Sequence, residues 1–263
     1  MCQGYGQTAV FHRLAGAGSM ILVKDLVKHF AAVKAVDGIS FSVEDGMITG
    51  LLGPNGSGKT TTLRMLYTLL QADKGSIEVD GIHVAEDRLA VKRSLGVMPD
   101  ARALYTRLTA RENIRYYGEL QGLSGSLLQQ RIQELADQLE MHDYLDRRCH
   151  GFSSGQRAKV AIARSFVSSP QNMLLDEPGN GLDVMSIRGL RRFLLSQKDQ
   201  GKAVLLSTHI MQEVVALCDR IVIMANGRIS ALGSPEELMA QARTSNLEDA
   251  FVSLIGTDEG IAA

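Results

Sequence analysis

The stretch Gly53-Pro54-Asn55-Gly56-Ser57-Gly58-Lys59-Thr60 fits the pattern G-x-x-x-x-G-K-[ST]. It stands between two segments of different period. Met47 to Leu52 is a short apolar run that stops at glycine, as a buried strand does. Lys59 to Leu70 then carries Leu63, Leu66 and Leu70 at helical spacing. Strand, glycine-rich turn and helix, in that order, make a loop suited to holding phosphate. The glycines let the backbone curl until successive N–H groups converge on anionic oxygens. The helix beginning near Lys59 aims the positive end of its dipole at the same point. Lys59 is expected to reach the β- and γ-phosphates. Thr60 is expected to offer its hydroxyl to a Mg²⁺ that bridges them, with Thr61 next to it in the nucleotide-facing turn. The loop implies a nucleotide, not a particular machine.

Outward from this loop, strand-like and helix-like runs alternate, which predicts a layered α/β fold. Ile77-Glu78-Val79 enters a tight turn at Asp80-Gly81. Thr109-Ala110-Arg111-Glu112 has the capping-box pattern and opens a helix that ends near Gly122. Gln129 to Glu140 sets Ile132, Leu135, Ala136 and Leu139 on one face of another helix. The segment 100–155 therefore reads as a helical insert in an α/β frame. Met173-Leu174-Leu175 and Ala203 to Ser207 are two more strands, with a helix near 184–199 between them that stops at Gly201. Ile221 to Met224, Asn226-Gly227 and Arg228 to Ala231 spell a hairpin. Ser234-Pro235-Glu236-Glu237 starts a further helix, with Ser234 as cap, Pro235 in the first helical position and Glu237 closing the box.

The 263 residues are 45% apolar, enough for one large domain, or a domain with a sub-domain, around a real core. The formal net charge is −1, so the clustered Lys and Arg of a nucleic-acid binder are not in view. Cys2, Cys149 and Cys218 are odd in number and widely spaced, which predicts thiols rather than a disulfide framework. Cys149 and His150 are adjacent, which is not zinc spacing. No stretch approaches the roughly 18 consecutive apolar residues of a membrane span. Residues 1–19 lack the form of a secretory signal and read as an N-terminal extension ahead of Ile21-Leu22-Val23.

Asn172-Met173-Leu174-Leu175-Asp176-Glu177 is an apolar strand that ends in two acids. Carboxylates at a buried strand end need a cation or a proton to work on. Asp176 is placed to hold Mg²⁺ through water. Glu177 is then the candidate general base for an attacking water, a role that contributes ~10²–10⁴-fold to rate.

Phe152-Ser153-Ser154-Gly155-Gln156 lies upstream of Asp176 and opens a helix. It resembles the signature sequence of ATP-binding cassette (ABC) proteins, usually Leu-Ser-Gly-Gly-Gln. Pro178 and Gly181-Leu182-Asp183 are similar to the segments that follow the acidic strand in that family. His209 matches its switch histidine, and Phe30 sits where the family carries an aromatic that stacks on adenine. The order and spacing of these parts resemble an ABC ATPase over 20–240, followed by a helical tail over 241–263.

That resemblance implies a P-loop NTPase fold: a RecA-like core sheet with flanking helices, an antiparallel β sub-domain and an α-helical sub-domain. It implies ATP and Mg²⁺ as ligands, and two cassettes packed head to tail as a homodimer or heterodimer. Ser153, Ser154, Gly155 and Gln156 would face the γ-phosphate bound by the partner, again by anion-at-helix-end logic. His209 would hold that γ-phosphate and the attacking water, and Asp183 would report across the dimer. Two positions depart from the family pattern. Ser154 replaces the first glycine of the usual pair. Asp100, after Val97-Met98-Pro99, stands where a glutamine is usual; its carboxylate can ligate Mg²⁺.

Gly50 to Gly56, Leu108 to Asn113 and Leu247 to Phe251 resemble ABC-2-type exporters, especially sodium-efflux ATPases of the NatA type. The family reading implies an ATPase at the cytoplasmic face of a membrane, docked through its helical insert on permease subunits and driving export of sodium or a drug. Two other readings compete with it. One is a soluble ABC protein acting on ribosomes or DNA, against which the single cassette and the lack of coiled coils count. The other is a pseudo-ATPase, for which only Ser154 and Asp100 speak.

Overall fold

The computed structural model describes residues 19–100 and 103–256. All of the expected extension but Ser19 therefore lies outside the described residues, as do Cys2 and residues 257–263 of the tail.

The chain opens with two long strands, β1 (Ser19–Phe30) and β2 (Val33–Glu44), and enters the short β3 (Ile48–Leu52). After the phosphate loop come α1 (Lys59–Leu66), the paired β4 (Lys74–Val79) and β5 (Ile82–His83), α2 (Arg88–Ser94) and β6 (Leu95–Met98). The helical stretch holds α3 (Ala110–Leu120), α4 (Gly125–Gln138) and α5 (Ser154–Phe166). Alternation resumes with β7 (Asn172–Asp176), α6 (Val184–Asp199), β8 (Ala203–Thr208), α7 (Met211–Leu217) and β9 (Arg220–Ala225). Last come β10 (Arg228–Gly233), α8 (Pro235–Ala242) and α9 (Leu247–Ile255).

A six-stranded sheet runs in the order β10-β9-β3-β8-β7-β6. Its strands from β9 to β6 pair parallel, and β10 folds back antiparallel on β9. All five residues of β3 are buried. A parallel strand covered on both faces needs apolar side chains throughout, which is why Ile48–Leu52 shows no alternation. A second, antiparallel sheet has the order β2-β1-β4-β5.

The six-stranded sheet separates two apolar cores. On one side Ile39, Phe41 and Val43 of β2 meet Leu63 and Leu66 of α1, Leu51 and Leu174. On the other, Met173 and Leu175 meet Ile114 of α3, Ile132 and Leu135 of α4, and Phe166 of α5. Successive side chains on β7 thus enter opposite cores, as the pleat requires. Each fully buried Leu or Phe contributes on the order of 1.5–3 kcal/mol. The antiparallel sheet and the helical stretch are in this way fixed to opposite faces of one platform.

Local signals appear at the expected places. Thr109 Oγ1 accepts from Glu112 N–H at 3.1 Å while Glu112 Oε2 accepts from Thr109 N–H at 2.8 Å. Ser234 and Glu237 make the same reciprocal pair at the head of α8. Asn226 and Gly227 both take left-handed φ values, 49° and 75°, in the β9–β10 turn.

Three boundaries differ from the sequence reading. The first helix stops at Leu66 rather than Leu70: Thr68 turns to φ 64°, and the N–H groups of Leu69 and Leu70 both fall back on Arg64 O. Leu70 still packs against the core, so its spacing outlasts the helix. Helix α4 starts at Gly125, ahead of Gln129, because Leu128 is buried with Ile132. The helical layer runs past 155, since Val160 and Phe166 of α5 share a core with α3 and α4. Helices α2 and α7, of seven residues each, are too short to declare a period.

Candidate active site

The phosphate loop joins β3 to α1. Gly58 is the cap of α1 at φ 105°, a value side-chain-bearing residues avoid, and a Cβ there would strike Ala35 O. A Cβ on Gly53 would strike Met224 O. The loop is therefore pressed against both the antiparallel sheet and β9. No side chain caps α1 and its first turn has no acid, so its leading N–H groups and dipole are left for an anion. Ser57 Oγ is buried without a hydrogen-bond partner among the described residues, a second sign of a ligand-facing cradle. The turn of the β9–β10 hairpin buttresses the loop: Gly227 N–H donates to Ser57 O at 3.1 Å, and Asp37 N–H donates to Gly227 O at 2.8 Å.

Lys59, 5% exposed, donates from Nζ to Gly53 O at 2.8 Å and Pro54 O at 3.1 Å. Burial pulls its ammonium below the usual lysine range, while the charges of Glu177 and Asp176 oppose that shift. Asp176 closes β7 and is buried. Its Oδ1 accepts from Ser207 Oγ at 2.6 Å and from Thr60 Oγ1 at 3.2 Å. Ser207 lies opposite Asp176 in the parallel register of β8. The Thr60 hydroxyl and the Asp176 carboxylate thus converge on one point. An all-oxygen pair of that kind fits a hard divalent cation.

Glu177 has φ 48°, uncommon for any residue but glycine. Its N–H is held by Ser207, whose backbone oxygen and Oγ each lie 3.1 Å away. The turn carries Glu177 Oε2 to 2.7 Å from His209 Nδ1, and Oε1 to 3.8 Å from Lys59 Nζ. With the carboxylate ionised, Nδ1 carries the proton between them. A carboxylate and an imidazole are thereby set beside the cation of the loop.

These groups open on one pocket of about 680 Å³ lined by Phe30, Asn55, Gly56, Gly58, Lys59, Thr60, Thr61, Asp100, Glu177 and His209. Phe30 lies at its rim, 46% exposed, and the pocket's lining residues include Val33, Lys34 and Ala35 beside it. Asp100 follows β6 and is exposed to the pocket. Sequence reasoning missed Asn180, Asn226 and Lys34 among the lining residues, and Ser207 behind it. The hairpin signal around Asn226 was visible, but not its place against the loop.

A protein-family profile described as ABC transporter matches residues 36–180. The chain is 41% identical over 239 residues to the ABC transporter ATP-binding protein NatA of Bacillus subtilis (strain 168), covering 89% of this chain and 97% of that one. It belongs to the ABC transporter family. It is an ATP-binding subunit of that family. It is also 35% identical over 224 residues to the Nod factor export ATP-binding protein I of Ralstonia nicotianae, covering 85% of this chain and 70% of the relative. A solved structure of an ATP-binding subunit of an ABC transporter superposes with a TM-score of 0.83 at 31% identity, over 90% of this chain and 100% of that one.

The remaining residues singled out in the sequence lie outside the pocket. Ser153 caps α5 in a full capping box with Gln156: Gln156 N–H donates to Ser153 Oγ at 3.2 Å, and Ser153 N–H to Gln156 Oε1 at 3.1 Å. Ser154 is exposed in the first helical position. Gly155 is buried, and a Cβ there would strike Ser186 Oγ and come within 3.2 Å of Asp183 Oδ2. Asp183 itself caps α6, accepting from Ser186 N–H and Oγ–H, and those bonds hold its carboxyl below the usual range. The ABC signature and Asp183 therefore form a packed pair of helix heads on a surface of their own.

Proposed function

We propose that this cassette hydrolyses ATP with Mg²⁺ and drives export through membrane permease subunits at the cytoplasmic face of a membrane. The observation that carries this reading is the joint placement of Lys59, Thr60, Glu177 and His209 on one pocket, with the Glu177–His209 contact at 2.7 Å. Among the described residues no helix is long and apolar enough to cross a membrane, which supports a separate membrane partner. The similarity to a Nod factor export protein supports outward transport. In this reading the cargo is a small ion such as sodium or a drug, and the permease chooses it.

In this reading adenine stacks on Phe30. The backbone from Gly53 to Gly58, Ser57 included, and the head of α1 take the phosphate oxygens, with Asn55 and Thr61 in the wall. Thr60 Oγ1 and Asp176 would hold Mg²⁺, with the Asp100 carboxylate as a further candidate ligand. That ion, when bound, neutralises the phosphate charge. Glu177 takes a proton from the water that attacks the γ-phosphorus as the bond to the β-phosphate oxygen breaks. Lys59 balances the charge gathering on the leaving oxygen. His209 orients the base and the water. A second cassette offers its Ser153, Ser154, Gly155 and Gln156 to the same γ-phosphate, with Asp183 at the seam.

Glu177→Gln tests the reading: it should bind ATP, slow turnover at least ~10²-fold and accumulate as a dimer in ATP. Hydrolysis at the wild-type rate would remove Glu177 as the base.

A further inference from the structure

The mechanism above leaves one buried carboxyl unused. Glu213 stands in the first turn of α7, 4% exposed. Thr208 Oγ1 donates to its Oε2 at 2.7 Å and accepts Ile210 N–H at 3.0 Å. Glu213 N–H donates to Ile210 O at 3.1 Å. The residues on either side of His209 are therefore both tied to Glu213, directly or through one hydroxyl. Its other oxygen, Oε1, is buried with no hydrogen-bond partner among the described residues. That oxygen lies so close to Gly179 that any Cβ there would collide with it. Gly179 belongs to the turn that starts at Glu177, where Asn180 N–H returns to Glu177 O at 3.2 Å.

An unsatisfied buried oxygen costs about 1–3 kcal/mol, so its place against Gly179 calls for an account. The account is geometric. Glu177 and His209 follow the ends of two neighbouring strands, which the Glu177 N–H ties together at Ser207, and both turns run on beyond that tie. Glu213 touches both turns at once.

We propose that Glu213 is a positioning residue for the Glu177–His209 pair. It pins the histidine turn through Thr208 and sets its distance from the glutamate turn at Gly179. The inference rests on the roles given above to Glu177 and His209. Burial also holds the Glu213 carboxyl above the usual range, helped by the charge of Glu177 and opposed by the Thr208 hydrogen bond, His209 and Arg191. Gln is therefore a close replacement: it keeps an acceptor for Thr208 and the contact at Gly179.

The test uses the full chain. Glu213→Ala should lower kcat at least ~10-fold, since misplacing a reacting group by 1 Å can cost ~10²-fold. Its affinity for a non-hydrolysable ATP analogue should stay within about twofold, and Glu213→Gln should recover most of the lost kcat. Thr208→Val removes the hydroxyl at nearly constant shape and should repeat the kcat loss, which keeps the test in hand if Glu213→Ala does not fold. The His209 ring resonances, followed by NMR at fixed pH, should move in Glu213→Ala and Thr208→Val. That signal does not depend on turnover, so it separates this proposal from the assignment of Glu177 as base, which Glu177→Gln tests alone. A wild-type kcat in the folded variants, a loss carried by affinity instead of kcat, or unmoved His209 ring resonances would overturn the proposal.

Discussion

Lys59 makes two hydrogen bonds to carbonyls of its own loop and stands 3.8 Å from Glu177. These contacts hold its charge against the loop. Hydrogen bonds to charged groups are worth about 1.5–3 kcal/mol, so Lys59→Ala should weaken ATP at least ~10-fold in equilibrium titration. An unchanged affinity would contradict contact with the phosphates. Ser207 is the quieter partner. Its hydroxyl donates to Asp176 and accepts from Glu177 N–H, so one oxygen fixes both acids. Ser207→Ala should therefore lower kcat more than it lowers thermal stability, as melting and turnover measured together would tell. Lys59, Thr60, Asp176, Glu177 and His209 were all legible in the sequence because each sits in, or directly ends, a contiguous motif. Ser207 and Glu213 were not. Their parts come from strand register and from which way a side chain points in a short turn, and neither leaves a local pattern.

Elements set these residues by their ends. Strands β3, β7 and β8 lie side by side in the parallel sheet, so the loop, the acid pair and His209 emerge on the same edge. This much could be read from three apolar runs that each stop at a polar motif. Helix starts were legible too, because capping chemistry is local: Thr109 and Ser234 declare α3 and α8. Helix ends were less so, since Thr68 and not a glycine turns the chain after α1. The α3 cap gives a prediction at this scale. Thr109→Ala removes one reciprocal bond and should cost about 1 kcal/mol. Hydrogen exchange should register the loss first in α3, which packs on α5 and so on the helix that bears the signature.

At the scale of the whole molecule, stability and pH are linked through a group far from the pocket. Lys202 is 6% exposed, bonded to Gln197 Oε1 at 2.6 Å and Ser169 Oγ at 3.0 Å, and burial pulls its pKa down to about 8 from 10.5. Between those values the unfolded chain binds more protons than the folded one, so this group makes stability rise with pH. Wild type should gain on Lys202→Met in chemical denaturation as pH rises from about 8 towards 10.5, and the gap should be flat below 8. A wild-type stability that falls relative to Lys202→Met over that window would reverse the sign of the argument. The α/β frame and its helical insert were readable from alternation and caps, and the antiparallel layer only through the family resemblance. The partition of the two cores was not, because it depends on which face each alternate side chain of β7 takes.

The hairpin turn at Asn226 and Gly227 bears on how the protein is made. It clamps the phosphate loop through Ser57 and joins the antiparallel sheet through Asp37, and the Arg228–Asp37 ion pair spans 191 positions of sequence. Contacts so distant along the chain close late, because the entropy of the intervening segment must be overcome first. During synthesis, then, the ribosome releases a complete G-x-x-x-x-G-K-T motif long before the brace that holds it exists. Nucleotide added to a refolding mixture should leave the early phases untouched and favour only the last one, where this far end of the chain comes home.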